Sequence, residues 1–175
     1  MIDNAPTVRK RRICYINSDT KTFEASIAFF EKRLTNITNL EISQYSSLEF
    51  AKNSGPCDLL IFNSTHLSDL DFAQWFSKIL PKIPAQHNIP APTVFVSTLD
   101  FQSLEKIWEN AYKNNWYFDI VHPDHMESLP IRIATLLRIH DHLHEVRRYE
   151  EDLTKMKQRM LFLEQRLEKK RNEPH

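Results

Sequence analysis

The chain has 175 residues, a formal net charge of +0, 26% charged residues and a single glycine, Gly55. Its balanced charge indicates no nucleic-acid surface, and no apolar stretch approaches the length of a membrane helix. The single glycine excludes Gly-rich phosphate loops, dinucleotide fingerprints and the nucleophile elbow, because their turns need backbone conformations that only glycine adopts cheaply. With no apolar secretion signal at its start, the chain is expected to be cytoplasmic, with neither nucleic acid nor membrane as a partner.

Strand-like and helix-like stretches alternate after a polar leader at 1–11. Stretches rich in β-branched and aromatic residues predict five strands, at 12–16, 39–45, 58–63, 93–97 and 117–121. Apolar residues at helical spacing predict helices between them, at 20–34, 46–51, 68–80 and 101–113. Residues 81–92 contain no periodicity and many of the prolines, so they are expected to form an extended surface loop.

This alternation predicts an α/β protein of the flavodoxin-like (βα)5 type. Its parallel sheet is expected to have the strand order 2-1-3-4-5, with helices on both faces. In such sheets, functional residues gather at the carboxyl ends of the strands. The candidate site residues at those ends are Asn17, Ser18 and Asp19 after the first strand, Asn63 and Ser64 after the third, Ser97 after the fourth and His122 after the fifth.

At these strand ends the chain resembles the receiver domain of bacterial response regulators, over residues 12–143. Receivers have an acidic pair after the first strand that holds Mg²⁺, and a phospho-accepting Asp that ends the third. Here the run ICYINS places Asn17 and Ser18 where the acids belong, and the run DLLIFN ends in Asn63 in place of the phospho-acceptor. An amide is no carboxylate nucleophile, and two neutral side chains make a poor site for a hard cation.

The other receiver motifs are kept in part. Ser97 follows the run PTVFV, as the Ser or Thr of a receiver does, and Pro123 is kept after His122, which replaces a Lys. Asp119 stands where receivers have an aromatic switch residue. The resemblance therefore implies a degenerate receiver that keeps the fold, binds no metal or cofactor and has lost Asp phosphorylation. The alternative is that only the doubly wound fold is shared.

Residues 123–170 predict one long helix that leaves the globular domain. From Ile139 onward, apolar or large residues recur at alternating steps of three and four, which is the 3.5-residue period of a coiled coil. The a and d positions, called the seam below, are Ile139, His142, Val146, Tyr149, Leu153, Met156, Met160, Leu163 and Leu167.

Charges beside the seam favour a parallel homodimer. The attractive pairs between parallel copies are Asp152 with Lys157 and Arg159 with Glu164. Glu145 opposite Glu150 is repulsive. Residues 144–175 are thus expected to form a coiled-coil dimerisation helix, continuous with the last receiver helix. The alternative is that the apolar stripe packs back on its own domain.

The remaining histidine, aspartate and cysteine residues are expected to have structural roles rather than catalytic or metal-binding ones. His140 and His144 lie one turn apart, but at the solvated b and f positions and with no third ligand, so no metal site is expected. Asp124 is expected to cap the last helix. Cys14 and Cys57 have no metal-binding spacing and are expected to be buried, reduced thiols.

The sequence therefore favours a non-enzymatic signalling module that dimerises and regulates or scaffolds an output domain or partner protein. In similar proteins such a helix continues into a domain that makes, degrades or binds cyclic di-GMP. One alternative is a small-molecule sensor that uses the vacated pocket between Asn17 and Asn63. Another is an enzyme that uses His122, Asp19 and Ser97.

Overall fold

The fold is described from a computed structural model. The described residues are 10–16, 28–30, 32–34, 39–46, 57–65, 85–86, 89–98, 105, 108–109, 111–113 and 116–171. The elements in these ranges are β1 (Lys10–Ile16), β2 (Asn39–Tyr45), β3 (Leu59–Asn63), β4 (Ala85–Gln86), β5 (Ile89–Pro90), β6 (Thr93–Val96), β7 (Phe118–Val121), a 3-10 helix (Pro123–Ser128) and the C-terminal helix (Leu129–Arg171). Residues 28–30, 32–34, 105, 108–109 and 111–113 are also helical. The helices predicted at 46–51 and 68–80 lie outside the described residues.

The main sheet has the predicted topology. Among the described residues it contains five strands in the order β2-β1-β3-β6-β7, and every neighbouring pair is parallel. With the short pair β4 and β5 set aside, this is the flavodoxin-like order 2-1-3-4-5. The register places Ile13 beside both Ile42 and Leu59, and it places Thr93 beside both Leu60 and Phe118.

Both faces of the sheet are covered, because successive side chains of a strand point to opposite sides. One face buries Ile13, Tyr15, Leu59, Ile61, Val94 and Val96 together with Phe30, Leu34, Leu129 and Ile133 of the helical segments. The other face buries Cys14, Ile16, Leu60, Phe62 and Phe95 together with Ala111 and Trp116. This two-sided burial explains why the third and fourth predicted strands are apolar along their length.

An aromatic cluster joins three strands on the second face. The ring of Phe95 lies 5.9 Å from Phe62, 5.7 Å from Trp116 and 6.0 Å from Phe118 in edge-to-face arrangements. Trp116 Nε1 donates a hydrogen bond of 3.0 Å to the carbonyl oxygen of Ala91. The indole is thus buried with its polar atom satisfied, as a core tryptophan requires.

The C-terminal helix begins later than predicted. Residues Pro123–Ser128 form a 3-10 helix in which His125 has non-helical dihedrals, φ −119° and ψ 30°, and the α-helix begins at Leu129. Pro130 explains this start. Proline has no N–H, and its ring clashes with the carbonyl four residues earlier, so an α-helix accommodates it only in the first turn.

The proline-rich segment is not entirely an extended loop. Within it, β4 and β5 form a short antiparallel pair, with Ala85 beside Pro90 and Gln86 beside Ile89. A two-stranded ladder has only edge strands, where the missing N–H of a proline is tolerated. Ile89 is buried and anchors this pair.

The chain divides into two compact units, Met1–His140 and Asp141–His175. The predicted boundary, after residue 143, lies three residues further along the chain. The C-terminal helix, at 43 residues, contains the division between the units.

A buried carboxylate fixes the start of β3 against β1. Asp58 Oδ2 accepts a hydrogen bond of 2.9 Å from the Arg12 N–H, and the Asp58 N–H donates to the Arg12 carbonyl at 2.8 Å. Arg11 Nη1 lies 3.4 Å from Asp58 Oδ1, and the two side chains are only 11% and 8% exposed. Removing the carboxylate leaves a buried N–H and a buried cation without this partner.

We therefore expect Asp58→Ala to lower the free energy of unfolding by about 1–3 kcal/mol, measured by urea denaturation at one fixed protein concentration. Asp58→Asn is the matched control, since its amide oxygen still accepts from the Arg12 N–H, and it should lose less. Equal stabilities of the parent and both variants would contradict this role of Asp58.

Candidate functional site

Three of the predicted site residues meet at the carboxyl edge of the sheet. Asn63 ends β3 and pairs with Val96 of β6. Ser97 follows β6, and its N–H donates to the Val121 carbonyl at 3.0 Å. His122 follows Val121, the last residue of β7. The strand ends are therefore aligned, as the sequence predicts.

The candidate residues after the first strand lie outside the described residues. β1 ends at Ile16, which pairs with Phe62, so this strand also ends at the carboxyl edge. Asn17, Ser18 and Asp19 follow Ile16 in the sequence. Their membership of the site stays a prediction.

Asn63 is held in a local turn. Its side chain is buried, and its Oδ1 accepts hydrogen bonds from the Thr65 N–H at 3.1 Å and from Thr65 Oγ1 at 2.7 Å. This is the hydrogen-bonding pattern by which Asn stabilises a turn two residues ahead. The amide oxygen at the phospho-acceptor position thus has a structural role, and an amide has no carboxylate oxygen with which to attack phosphorus.

The neighbouring serines are buried at the same edge. Ser64 donates to the Val96 carbonyl from both its N–H, at 2.9 Å, and its Oγ, at 3.2 Å. Ser64 and Ser97 are 1% and 3% exposed. Ser64 therefore closes the junction between β3 and β6, a contact that the sequence pattern did not show.

His122, not Asp124, caps the helix that follows β7. His122 has extended dihedrals, φ −69° and ψ 142°, and its Nδ1 accepts a hydrogen bond of 3.3 Å from the Asp124 N–H. A cap residue precedes the first helical residue, here Pro123, whereas Asp124 already lies inside the first turn. The prediction that Asp124 is the cap is wrong for this reason. The His122 side chain is 49% exposed, so it lies at the rim of the site.

Asp119 forms an ion pair at the position where receivers have an aromatic residue. Arg132 Nη1 lies 2.7 Å from both carboxylate oxygens of Asp119, and Arg132 Nε donates to Ser128 Oγ at 3.2 Å. The Ile120 N–H also donates to Asp119 Oδ1, at 2.8 Å. The pair ties β7 to the first turn of the C-terminal helix. Sequence reasoning noted Asp119 but missed its partner.

The His140 and His144 cluster differs from the prediction. His140 is 4% exposed, although the heptad assignment placed it on the solvated face. In the first turns of the helix, the buried face is set by packing on the sheet and follows Leu129, Ile133 and Leu136 to His140. Among the described residues, no group of three or more His, Cys, Asp or Glu side chains is arranged to hold a metal ion.

The two cysteines are free and buried, as predicted. They are hydrogen-bonded to each other. This bond lowers the pKa of Cys14, and together with burial it raises the pKa of Cys57.

The second candidate site is the seam of the C-terminal helix. Its side chains from Val146 onward are between 55% and 68% exposed, and they are Val146, Tyr149, Leu153, Met156, Met160, Leu163 and Leu167. His142 is also exposed, whereas Ile139 is half-buried. Leu161 and Phe162, outside the seam, are 58% and 57% exposed and were missed by the sequence analysis. An apolar stripe of this length in water marks an interaction surface.

Within the described part of the chain, no helix combines sufficient length with sufficient apolar character to cross a membrane.

Comparisons with known proteins show a likeness in fold only. No protein-family profile and no curated protein matches the chain. A solved structure similar to it is a fusion that contains residues 181–211 of the yeast Spc42 trimeric coiled coil, with 17% identity, a TM-score of 0.52, and coverage of 93% of this chain and 94% of that one. At this identity, the likeness concerns the fold.

Two other solved structures are less similar. A CheY-like response regulator from Mesorhizobium loti has 12% identity and a TM-score of 0.47, over 75% of this chain and 99% of its own. An archaeal flavodoxin has 10% identity and a TM-score of 0.41, over 74% of this chain and 99% of its own. Such scores are too low to support a relationship, so the receiver-like fold rests on the strand order and register described above.

We expect acetyl phosphate with Mg²⁺ to leave the parent chain unmodified in intact-mass spectra, because position 63 has no carboxylate. Asn63→Asp should also remain unmodified, since Asn17 and Ser18 do not supply the charge that holds Mg²⁺. A phosphorylatable receiver is the positive control. A stoichiometric, Mg²⁺-dependent adduct on the parent that persists in Asn63→Ala would reveal another acceptor and contradict the expectation.

Proposed function

We propose that this chain is a non-enzymatic interaction module, in which a receiver-like domain pairs with a second copy of the chain through the seam. The observation that carries the proposal is the exposure of seven apolar seam residues, each 55–68% exposed, at the 3.5-residue period. A single helix leaves this stripe in water. A second copy covers it with a stripe of the same chemistry.

The energetics favour covering the stripe. Full burial of a Leu or Met side chain contributes roughly 1.5–3 kcal/mol relative to exposure. Leu153, Met156 and Met160 form the centre of the seam, and each is more than half exposed. Burial of several such side chains outweighs the repulsion of a few solvated charges, which contribute about 0–1 kcal/mol per pair.

The carboxyl edge of the sheet supports the non-enzymatic part of the proposal. Asn63 Oδ1 and both donors of Ser64 are engaged in hydrogen bonds within the domain. The Ser64 bonds join the ends of β3 and β6, and the Asn63 bonds hold the turn that follows β3. In this proposal the carboxyl edge of the sheet stabilises the fold, and the C-terminal helix provides the surface that binds a partner.

The proposed role is to relay or scaffold a signal for an output domain or a partner protein. The resemblance to receivers supports signalling, and domains of cyclic di-GMP metabolism are the kind of output that it implies. Two free cysteines fit a reducing compartment, such as the cytoplasm. The trimeric coiled coil in one fold relative makes a three-stranded assembly the rival to the dimer.

The proposal predicts that Leu153→Glu converts the dimer into a folded monomer. The substitution places a carboxylate of each copy in the apolar seam, and even Leu153→Ala removes burial that contributes roughly 2–5 kcal/mol in a core. Size-exclusion chromatography with light scattering gives the mass, and urea unfolding reports the domain. Gln158→Glu is the matched control, because it adds the same charge at an exposed f position.

Three results would contradict this prediction. A parent chain that is monomeric at high micromolar concentration would reject pairing through the seam. A Leu153→Glu variant that unfolds entirely would show that the helix packs on its own domain. A Gln158→Glu variant that dissociates as readily as Leu153→Glu would show that added charge, rather than the seam, determines the mass.

A further inference from the structure

We infer that the two C-terminal helices of the dimer run antiparallel, in the register that places Leu153 of one copy against Met156 of the second. The inference rests on the dimer proposed above and concerns the relative orientation of its two helices. The three charge pairs considered in the sequence analysis favoured a parallel dimer, but the full set of charges beside the seam favours an antiparallel one.

In a parallel dimer, each g residue faces the e residue five positions later in the second copy. The described helix supplies four such pairs in which both residues are charged: Asp152 with Lys157, Arg159 with Glu164, Glu145 with Glu150, and Arg166 with Arg171. The first two attract and the last two repel. The parallel arrangement therefore gains no net charge complementarity.

In an antiparallel dimer, the same flanks of the two helices meet, so g faces g and e faces e. The inferred register gives three pairs, each present twice by two-fold symmetry: Glu145 with Arg166, Asp152 with Arg159, and Glu150 with Lys157. All three attract. Along the seam from Ile139 to Leu167, the remaining contact between flanks is Leu143 with Glu164, which opposes no like charges.

The charges also fix the register. If one helix is shifted by one heptad toward one end of the other, Asp152 faces Asp152 of the second copy and Glu150 faces Glu150, so like charges meet. A shift in the other direction does the same for Arg159 and Lys157. The inferred register is thus favoured over both of its neighbours.

The seam itself agrees with this arrangement. The antiparallel register pairs unlike side chains: Val146 with Leu163, Tyr149 with Met160, Leu153 with Met156, and His142 with Leu167. A parallel dimer instead places each of these residues against its own copy, including two Tyr149 and two His142. Alternation of larger and smaller side chains across facing positions lets the layers interdigitate.

The orientation determines what the dimer does. In the antiparallel register, the two Ile139 residues are about 45 Å apart along the helix axis, from a rise of about 1.5 Å per residue. A parallel dimer holds the same two residues side by side. The inferred assembly therefore suits a scaffold with two separated binding domains, rather than the juxtaposition of two outputs.

Charge reversal tests the inference, because the two orientations predict opposite signs. In the antiparallel dimer, Glu145→Arg sets its new guanidinium against Arg166, and Arg166→Glu sets its new carboxylate against Glu145. Each single variant should raise the dimer dissociation constant by about five- to thirtyfold at low salt, measured by sedimentation equilibrium. The double variant should return to the parent value.

The double variant also controls for contacts within one helix. Glu145 Oε2 lies 3.6 Å from His142 Nδ1, and the Arg166 guanidinium lies 5.5 Å from the centre of the Phe162 ring. The single variants each lose one of these contacts and the double variant loses both. If the double variant regains the dissociation constant of the parent, the effect must therefore come from the pair between residue 145 of one copy and residue 166 of the other.

The outcomes separate this inference from the dimer itself. Weaker single variants with recovery in the double variant would support the antiparallel register. A dimeric parent that each single substitution tightens would overturn it and favour parallel helices, while the proposed function would survive. Weaker single variants without recovery would also overturn the register. A monomeric or trimeric parent would overturn both the inference and the dimer on which it rests.

Discussion

The structure depends on one constraint: a single helix carries both a core-packing face and an uncovered apolar stripe. Leu129, Ile133 and Leu136 of its first turns are buried in the sheet's core. From Val146 onward the apolar side chains of the same helix are more than half exposed. Because the helix is continuous from Leu129 to Arg171, one secondary-structure element contains both the residues buried against the sheet and the exposed seam.

The polar side chains described at the carboxyl edge of the sheet hydrogen-bond within their own domain. Asn63 bonds to Thr65, Ser64 bonds to the strand beside it, and His122 caps the helix that follows. Each of these side chains makes a hydrogen bond to a backbone group of the same domain. Most of the exposed large apolar side chains among the described residues lie instead on the C-terminal helix.

The sheet could be predicted from the sequence because a strand that is buried on both faces appears as a continuous run of apolar residues. The apolar runs that form β3 and β6, with Asn63 at the end of β3 and Ser97 directly after β6, can be predicted from the order of residues alone. The features that the sequence analysis did not predict depend on contacts between residues distant in sequence, or on one residue such as a proline. Pro130 delays the helix, and packing on the sheet buries His140. No periodicity encodes the pairing of Asp119 with Arg132, thirteen residues away.

The most direct measurement of whether a second copy covers the seam is a distance between two copies of the full chain. A nitroxide attached through Lys169→Cys would sit at an exposed position, and the native Cys14 and Cys57 are buried. Pulsed dipolar spectroscopy should give a distance between copies of about 45 Å for the antiparallel register, from the rise of about 1.5 Å per residue. The absence of any such distance at high micromolar concentration would contradict pairing, and a distance below about 20 Å would contradict the register.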